Sequence, residues 1–210
     1  MTSTQPAPEF SGLKGRFFAW FLTSPARKLL EWKMGRPEAR IFELLELEGH
    51  EQVLDAGCGS GFHTLQIAAQ LPDGHVVATD VSIEMLSRLR RQAAARGLSD
   101  RIDAIEADNL ALDLEDGRFD RAISAAVWHH LPDPDQAAAE LFRTLRPGGR
   151  VVVCDLLIAP SEKAVAGLDG HDRAFEPDDM QRILQGAGFE TVTVETIGRW
   201  IVGAGERPLR

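Results

Sequence analysis

One stretch organises the chain: Val53-Leu54-Asp55-Ala56-Gly57-Cys58-Gly59-Ser60-Gly61, followed directly by Phe62-His63-Thr64-Leu65-Gln66-Ile67-Ala68. Two apolar residues lead into an acid, three glycines then alternate with small residues, and a helical pattern begins. This order is typical of a strand, a tight turn and the start of a helix. The stretch therefore predicts a nucleotide-binding turn.

The spacing of the glycines narrows the choice of nucleotide. A dinucleotide-binding turn has the pattern G-x-G-x-x-G, which lets a pyrophosphate lie at the helix N-terminus. Here the glycines are Gly57, Gly59 and Gly61, and Asp55, two residues before the first, would repel a pyrophosphate and attract a cation. A P-loop also needs a lysine after its last glycine, where this chain has Phe62. S-adenosylmethionine fits this pattern because it carries positive sulfonium and ammonium groups and no phosphate.

Three later segments agree with this ligand. Asp80 ends the apolar run 75–80, nineteen residues after Gly61, where an acid can bond both ribose hydroxyls. A third run ends in Glu106-Ala107-Asp108-Asn109, and Pro147-Gly148-Gly149-Arg150 leads into three valines.

In this order, over about residues 50–205, the motifs resemble the S-adenosylmethionine-dependent methyltransferases with the Rossmann-like fold (class I), and in particular the type 11 and ubiquinone or menaquinone C-methyltransferases. The resemblance implies that Asp55 and the glycine backbone hold the methionine part of the cofactor. It also implies that Asp80 binds the ribose and that Asp108 with Asn109 contacts the adenine. The implied cofactor-binding set is Asp55, Ala56, Gly57, Cys58, Gly59, Gly61, Asp80, Val81, Asp108, Asn109 and Ala125.

From residue 52 onward, strand and helix patterns alternate, which predicts a parallel sheet with helices on both faces. The predicted strands are 52–55, 76–80, 102–107, 119–125, 150–156, 191–197 and 200–202, and the resemblance implies that the last two close the sheet as an antiparallel pair. Helices are predicted at 13–22, 24–35, 37–47, 62–71, 83–96 (N-capped by Ser82), 135–145 and 176–188. The expected fold is α/β and doubly wound, with a mostly parallel seven-stranded sheet. An N-terminal tail and helical cap (1–48) would precede the S-adenosylmethionine-binding domain (49–210).

Composition excludes several other classes of protein. A chain of 210 residues is one ordinary domain, and a net charge of −9 argues against a nucleic-acid partner. Cys58 and Cys154 are too far apart in sequence to suggest a disulfide framework or a metal site, so we expect no metal. The first nine residues have no signal-peptide pattern, and no run is apolar enough to span a membrane, which predicts a cytoplasmic protein.

The N-terminal segment differs from the rest of the chain in charge and in aromatic content. Residues 10–40 carry a net charge of +5, the remainder carries −14, and this segment holds nearly half of the aromatic residues, including Phe18 and Trp20. Three interpretations remain open. The segment could fold over the cofactor and form the acceptor pocket, with Phe18 and Trp20 as substrate contacts. Residues 10–34 could instead bind a membrane surface as a peripheral helix. Core packing or a homodimer contact is the third.

Three histidines are candidates for acid-base chemistry. Trp128-His129-His130-Leu131 follows the fourth strand, where a loop at the carboxyl edge faces the transferred methyl group. An imidazole there could take a proton from the acceptor, with Trp128 lining the acceptor side. The alternative is structural: one ring packs on the cofactor and the other bonds to backbone. His171 precedes the last helix and is a further catalytic candidate, although loop polarity alone would explain it.

The expected reaction is methyl transfer to a small-molecule or lipid-like or quinone-like acceptor through carbon, nitrogen or oxygen, with S-adenosylhomocysteine as product. Two alternatives are a catalytically silent S-adenosylmethionine-binding scaffold or regulator, and a peripheral membrane enzyme that methylates lipid or quinone.

Overall fold

A computed structural model describes residues 35–157 and 175–210, which contain one seven-stranded sheet. In chain order the strands are β1 (Gln52–Ala56), β2 (His75–Asp80), β3 (Ile102–Glu106), β4 (Phe119–Ala125), β5 (Leu145–Leu156), β6 (Glu190–Ile197) and β7 (Trp200–Glu206). The order across the sheet is β3-β2-β1-β4-β5-β7-β6. The first five strands in this order are parallel to one another, and β7 is antiparallel to both β5 and β6. The predicted doubly wound, mostly parallel sheet is confirmed.

The order of the strands determines where a ligand can bind. The chain adds strands outward on one side of β1 (β2, then β3) and then returns to the other side with β4. At this switch point a crevice forms at the carboxyl ends of the strands, where α/β sheets bind ligands. We call this edge the carboxyl rim.

Five helices cover the two faces of the sheet: α1 (Glu38–Leu45), α2 (Phe62–Gln70), α3 (Ile83–Ala95), α4 (Pro134–Thr144) and α5 (Pro177–Gly186). Apolar residues of α1, α2 and α3 form one buried cluster with one face of the sheet, and residues of α4 and α5 form another with the opposite face. As predicted, Ser82 caps α3 by accepting the N–H of Met85. Asp133 caps α4, which therefore begins one residue before its predicted start.

The predicted ends of two strands were wrong. β7 continues to Glu206 instead of ending at residue 202. Its Gly203 lies under α5, where an added Cβ would come 2.4 Å from the sulfur of Met180, so the glycine permits close helix packing. β5 begins at Leu145 instead of residue 150, because Leu145 already pairs with Phe119. The register then shifts, and the next pair is Arg121 with Arg150, after Gly148 and Gly149.

Helix α1 connects the carboxyl rim to the opposite edge of the sheet. Gly35 lies against the β6–β7 turn, where an added Cβ would be 2.6 Å from the carbonyl oxygen of Ile197. At the other end of α1, Arg121 of β4 donates to the carbonyl oxygen of Leu45 at 2.6 Å, and Arg150 of β5 donates to that of Leu44 at 3.3 Å. These bonds satisfy carbonyl groups that a helix end leaves without partners. The helices predicted before α1 lie outside the described residues.

Candidate functional site

The glycine turn after β1 is fixed to the end of β2. The backbone N–H groups of Gly57 and Cys58 both donate to the carbonyl oxygen of Thr79, each at 2.8 Å. Gly61 has φ +89°, and an added Cβ there would come 2.3 Å from Leu89 of α3, so this glycine lets α3 pack against the turn. Gly59 also has positive φ, +53°, but an added Cβ would meet no described atom within 4 Å. The backbone of Gly59 therefore borders open space at the carboxyl rim, where a ligand can approach it closely.

Asp80, the last residue of β2, lies beside this opening. One carboxylate oxygen accepts the N–H of Gly59 at 2.8 Å, and the other accepts the N–H of Ser82 at 2.9 Å. Burial raises the pKa of Asp80 above its ordinary value, while the two N–H donors oppose the shift. Each oxygen keeps a further lone pair that can accept a ligand hydroxyl. A pair of ribose hydroxyls is therefore compatible with this carboxylate.

Asp55 is buried beneath the turn, with 2% of its surface exposed. The hydroxyl of Thr64 in α2 donates to its carboxyl at 2.5 Å. The pKa of Asp55 is raised to about 7: burial raises it most, the Thr64 bond lowers it, and the nearby Asp80 carboxylate adds to the rise. A cation bound nearby would favour the ionised form. Sequence reasoning did not identify Thr64, whose role depends on the first turn of α2 facing the end of β1.

The residues expected to contact adenine lie on the loop between β3 and β4. Asn109 is 8% exposed and packs over the glycine turn: an added Cβ on Gly57 would lie 3.1 Å from its side-chain nitrogen. The carboxyl of Asp108 accepts the N–H of Leu110 at 2.9 Å, which holds the loop in a tight turn. The predicted cofactor residues on this loop and on the glycine turn are thus neighbours in space.

His129 is bound to a buried acid that sequence reasoning missed. Residues Trp128–His130 form one turn of 3₁₀-helix after β4, and the His129 ring nitrogen Nδ1 lies 2.5 Å from Oδ1 of Asp155 near the end of β5. The other Asp155 oxygen accepts the backbone N–H of His129 at 3.1 Å. Asp155 is fully buried. The available signal was its position after the apolar run 151–154, the pattern that identified Asp55 and Asp80.

The two neighbours of His129 have different surroundings. The His130 ring lies beside the His129 ring, with centroids 3.8 Å apart. Trp128, expected on the acceptor side, is instead 1% exposed and packs edge-to-face against Phe175 in the apolar core beneath the rim. Its substrate contact stays a prediction. His171, Phe18 and Trp20 lie outside the described residues.

Two further sets of side chains in the described part of the chain could carry chemistry, namely the two cysteines and one acidic cluster. Burial raises the pKa of the Cys58 and Cys154 thiols, which disfavours the nucleophilic thiolate. In the described part of the chain, one group has metal-compatible spacing, namely Glu48, His50 and Glu51. It lies before β1, at the edge opposite the carboxyl rim, and the Glu51 carboxylate accepts three backbone N–H groups there.

The site fits S-adenosylmethionine on structural grounds. Gly59 offers an open approach, Asp80 offers acceptors for two hydroxyls, and Asp55 can gain a negative charge beside a cation. Within residues 35–157 and 175–210, no helix has the length and apolar character needed to cross a bilayer.

The chain is similar to known methyltransferases. Residues 53–149 match a sequence family described as a methyltransferase domain. A demethylmenaquinone methyltransferase of Thermus thermophilus is 37% identical over 129 residues, covering 61% of this chain and 57% of that protein. The 27-O-demethylrifamycin SV methyltransferase of Amycolatopsis mediterranei is 29% identical over 182 residues, covering 81% of this chain and 65% of that protein. The chain thus spans less than two thirds of the length of either relative.

A solved structure agrees with the fold. The crystal structure of a SAM dependent methyltransferase from Aquifex aeolicus superposes with a TM-score of 0.73, covering 91% of this chain and 97% of that chain. The two sequences are 21% identical, so this likeness concerns the fold.

Proposed function

We propose that this chain, which belongs to the S-adenosylmethionine-dependent methyltransferases with a Rossmann-like fold, transfers a methyl group from S-adenosylmethionine to a small organic acceptor. The observation that carries the proposal is the opening beside Gly59, bordered by the carboxylate of Asp80. When bound, the cofactor supplies an electrophilic methyl carbon on a sulfonium and leaves as S-adenosylhomocysteine.

Different residues of the site bind different parts of the cofactor. Asp80 accepts hydrogen bonds from the ribose hydroxyls, and Asp108 and Asn109 border the adenine. Asp55 and the glycine turn hold the methionine part, with the Asp55 carboxylate offsetting its positive charge. Holding both reactants in line in a dry site can lower the barrier by roughly 7 to 11 kcal/mol. Most of the acceleration therefore comes from positioning.

His129 receives the proton that the acceptor loses. Its Nδ1 faces the Asp155 carboxylate, which assigns the proton of the neutral imidazole to Nδ1 and leaves Nε2 as the basic atom. An acceptor hydroxyl, amine or acidic carbon gives up one proton as its bond to the methyl carbon forms, and Nε2 accepts that proton. Asp155 then stabilises the resulting imidazolium. His130 lies beside this ring and shares the acceptor side with it.

The acceptor is a small molecule or a lipid-like or quinone-like compound. Two relatives support this choice, since their names specify demethylmenaquinone and 27-O-demethylrifamycin SV. The N-terminal segment would complete the acceptor pocket through Phe18 and Trp20. Gly35, the first described residue after this segment, lies beside the β6–β7 turn and next to the carboxyl end of β5, which supports this role.

The first experiment is calorimetric titration with S-adenosylmethionine and S-adenosylhomocysteine. We expect a dissociation constant in the micromolar range, roughly −8 kcal/mol. Absence of binding at millimolar cofactor would overturn the proposal. The protein is then assayed for S-adenosylhomocysteine release with quinols, phenols and amines. Binding without turnover on any acceptor would favour the silent scaffold.

A flotation assay separates the soluble-acceptor and membrane alternatives. Full-length protein and a variant lacking residues 1–34 are mixed with anionic or neutral vesicles, and each variant is also titrated with S-adenosylhomocysteine. Flotation of the full-length chain alone, with cofactor binding kept by both, would favour a peripheral membrane enzyme. Equal flotation of the two variants would exclude a membrane role for residues 10–34.

A further inference from the structure

The loop that carries Asp108 and Asn109 has little regular structure of its own. It connects β3 to β4, and its described secondary structure is a single bridge between Asp108 and Ala111. A loop without ladder hydrogen bonds needs other partners for its backbone groups. Side chains of helix α4 supply several of them.

Arg143 holds the distal half of this loop. Its guanidinium donates to the carbonyl oxygens of Leu112 at 2.8 Å and Leu114 at 2.7 Å, and to the carboxylate of Asp116 at 2.5 Å. In addition, the backbone carbonyl of Arg143 accepts the N–H of Gly117 at 3.0 Å. One residue of α4 thus binds the loop at four points.

Glu140 completes the arrangement one turn earlier in α4. Its carboxylate accepts the N–H of Leu112 at 2.8 Å and also binds the Arg143 guanidinium through both oxygens. The N–H and the C=O of Leu112 are therefore both held, as a neighbouring strand would hold them. Gln136, a further turn back, donates to the carbonyl oxygen of Leu110 at 3.3 Å. Residues 136, 140 and 143 share one face of a helix, since they are four and three positions apart.

The clamped part of the loop leads directly to the expected adenine contacts. The N–H of Ala111, next to Leu112, donates to the carbonyl oxygen of Asp108 at 3.0 Å, and the Asp108 side chain holds Leu110. Asn109 in turn rests on the glycine turn beside Gly57. A displacement at Leu112 would therefore shift both Asp108 and Asn109.

We propose that Arg143 and Glu140 are positioning residues that set recognition of the adenine ring by fixing the loop of Asp108 and Asn109. This inference rests on the proposed function, because it assigns the adenine to that loop. Neither side chain contacts the cofactor in this role. Loss of the clamp lowers affinity for the cofactor and weakens discrimination of its base, while methyl transfer at saturating cofactor continues.

The test uses two ligands that differ only in the base. S-adenosylhomocysteine and S-inosylhomocysteine, in which a carbonyl replaces the adenine amino group, are titrated into wild-type protein and into Arg143→Met. We expect Arg143→Met to bind S-adenosylhomocysteine at least tenfold more weakly and to reduce the preference for adenine severalfold. Arg182→Met is the matched control, since Arg182 of α5 forms an exposed ion pair with Asp135 of α4.

Two further variants keep the test decisive. Arg143→Lys retains one charged donor and should fold even if Arg143→Met does not, with an intermediate loss of adenine preference. In an Asp108→Ala background, Arg143→Lys should add less than a twofold effect if it acts through the loop. If Arg143→Met and Arg143→Lys melt at a lower temperature but keep the wild-type preference for adenine, this inference is overturned while the proposed function stands. Failure of the wild-type protein to bind S-adenosylhomocysteine would overturn the proposed function as well.

Discussion

The carboxylate of Asp80 accepts the backbone N–H of Gly59 at 2.8 Å, although the two residues are 21 positions apart in the chain. This bond joins the end of β2 to the part of the glycine turn that borders open space. Asp80 therefore shapes the cofactor opening and also supplies its hydroxyl acceptors. The two roles can be separated by substitution.

Asp80→Asn keeps an oxygen for one N–H donor, whereas Asp80→Ala removes both acceptors. A hydrogen bond to a charged group contributes about 1.5 to 3 kcal/mol, so we expect Asp80→Ala to weaken S-adenosylmethionine binding by at least tenfold and Asp80→Asn by less. Calorimetry measures both. Asp73→Asn, on an exposed turn at the opposite edge, serves as control. Equal affinities for wild type and Asp80→Ala would contradict the ribose assignment.

Gly59 and Gly61 should respond differently to alanine. Both have positive φ, which costs an alanine roughly 1 to 2 kcal/mol, but only at Gly61 would the new methyl group collide with a neighbour, Leu89. We therefore expect Gly61→Ala to lower the free energy of unfolding by several kcal/mol and Gly59→Ala by about 1 to 2 kcal/mol. Gly59→Ala should still lose most cofactor affinity, because its methyl group enters the opening. Urea denaturation and calorimetry separate the two effects. Full cofactor affinity in a folded Gly59→Ala would show that the ligand lies elsewhere.

Burial of Asp55 makes stability depend on pH. Its pKa is about 7 in the folded chain, against about 4 in an unfolded one. Between these values the folded chain holds a proton that the unfolded chain has lost, so the free energy of unfolding falls as the pH rises from about 4 to about 7. Asp55→Asn should flatten this slope, measured as urea midpoints at pH 5, 6, 7 and 8. Parallel profiles for the two proteins would mean that Asp55 is already ionised in the fold.

The same group couples cofactor binding to protons. A bound cation favours ionised Asp55, so S-adenosylmethionine should bind more tightly as the pH rises through about 7 and should release a proton at pH 6. Titrations in buffers of different ionisation enthalpy measure this release, and Asp55→Asn is expected to abolish it. Proton uptake on binding would be the opposite of this expectation.

The site was predictable where its signals are local in sequence. The turn after β1 and the acid ending β2 each follow an apolar run, so Asp55, Gly59 and Asp80 could be identified without a structure. Asp155 has the same pattern, but its partner His129 is 26 positions away and becomes its neighbour only because β4 pairs with β5. Burial of Trp128 likewise depends on its distant contact with Phe175.

The ends of helices and strands were likewise predictable only where the signal is local in sequence. Capping at Ser82 is local and was predicted correctly. The last strand was expected to end at residue 202, yet it continues through Gly203, whose missing side chain leaves room for α5. The clamp from Arg143 to Leu112 joins residues 31 positions apart and has no periodic signal. Most of the features that the sequence did not predict therefore depend on contacts between residues that are distant in the chain.

The bond between His129 and Asp155 gives a prediction that requires no acceptor. With an Asp155 oxygen as its hydrogen-bond partner, Nδ1 is expected to carry the proton of the neutral imidazole. Asp155→Asn has one side-chain oxygen instead of two, so it can accept from the His129 backbone N–H or from Nδ1 but not from both through separate oxygens. We therefore expect a mixture of His129 tautomers and a loss of about 1 to 3 kcal/mol in stability. Nitrogen-15 NMR of the His129 ring reports the tautomer, and Asp135→Asn, exposed on α4, is the control.

Once an acceptor is found, the same variant tests the chemistry. If His129 Nε2 accepts the proton, Asp155→Asn should lower kcat by at least tenfold while the dissociation constant of S-adenosylmethionine changes little, because neither residue holds the cofactor. A wild-type kcat in Asp155→Asn, with an altered His129 tautomer, would show that the pair only supports the turn after β4.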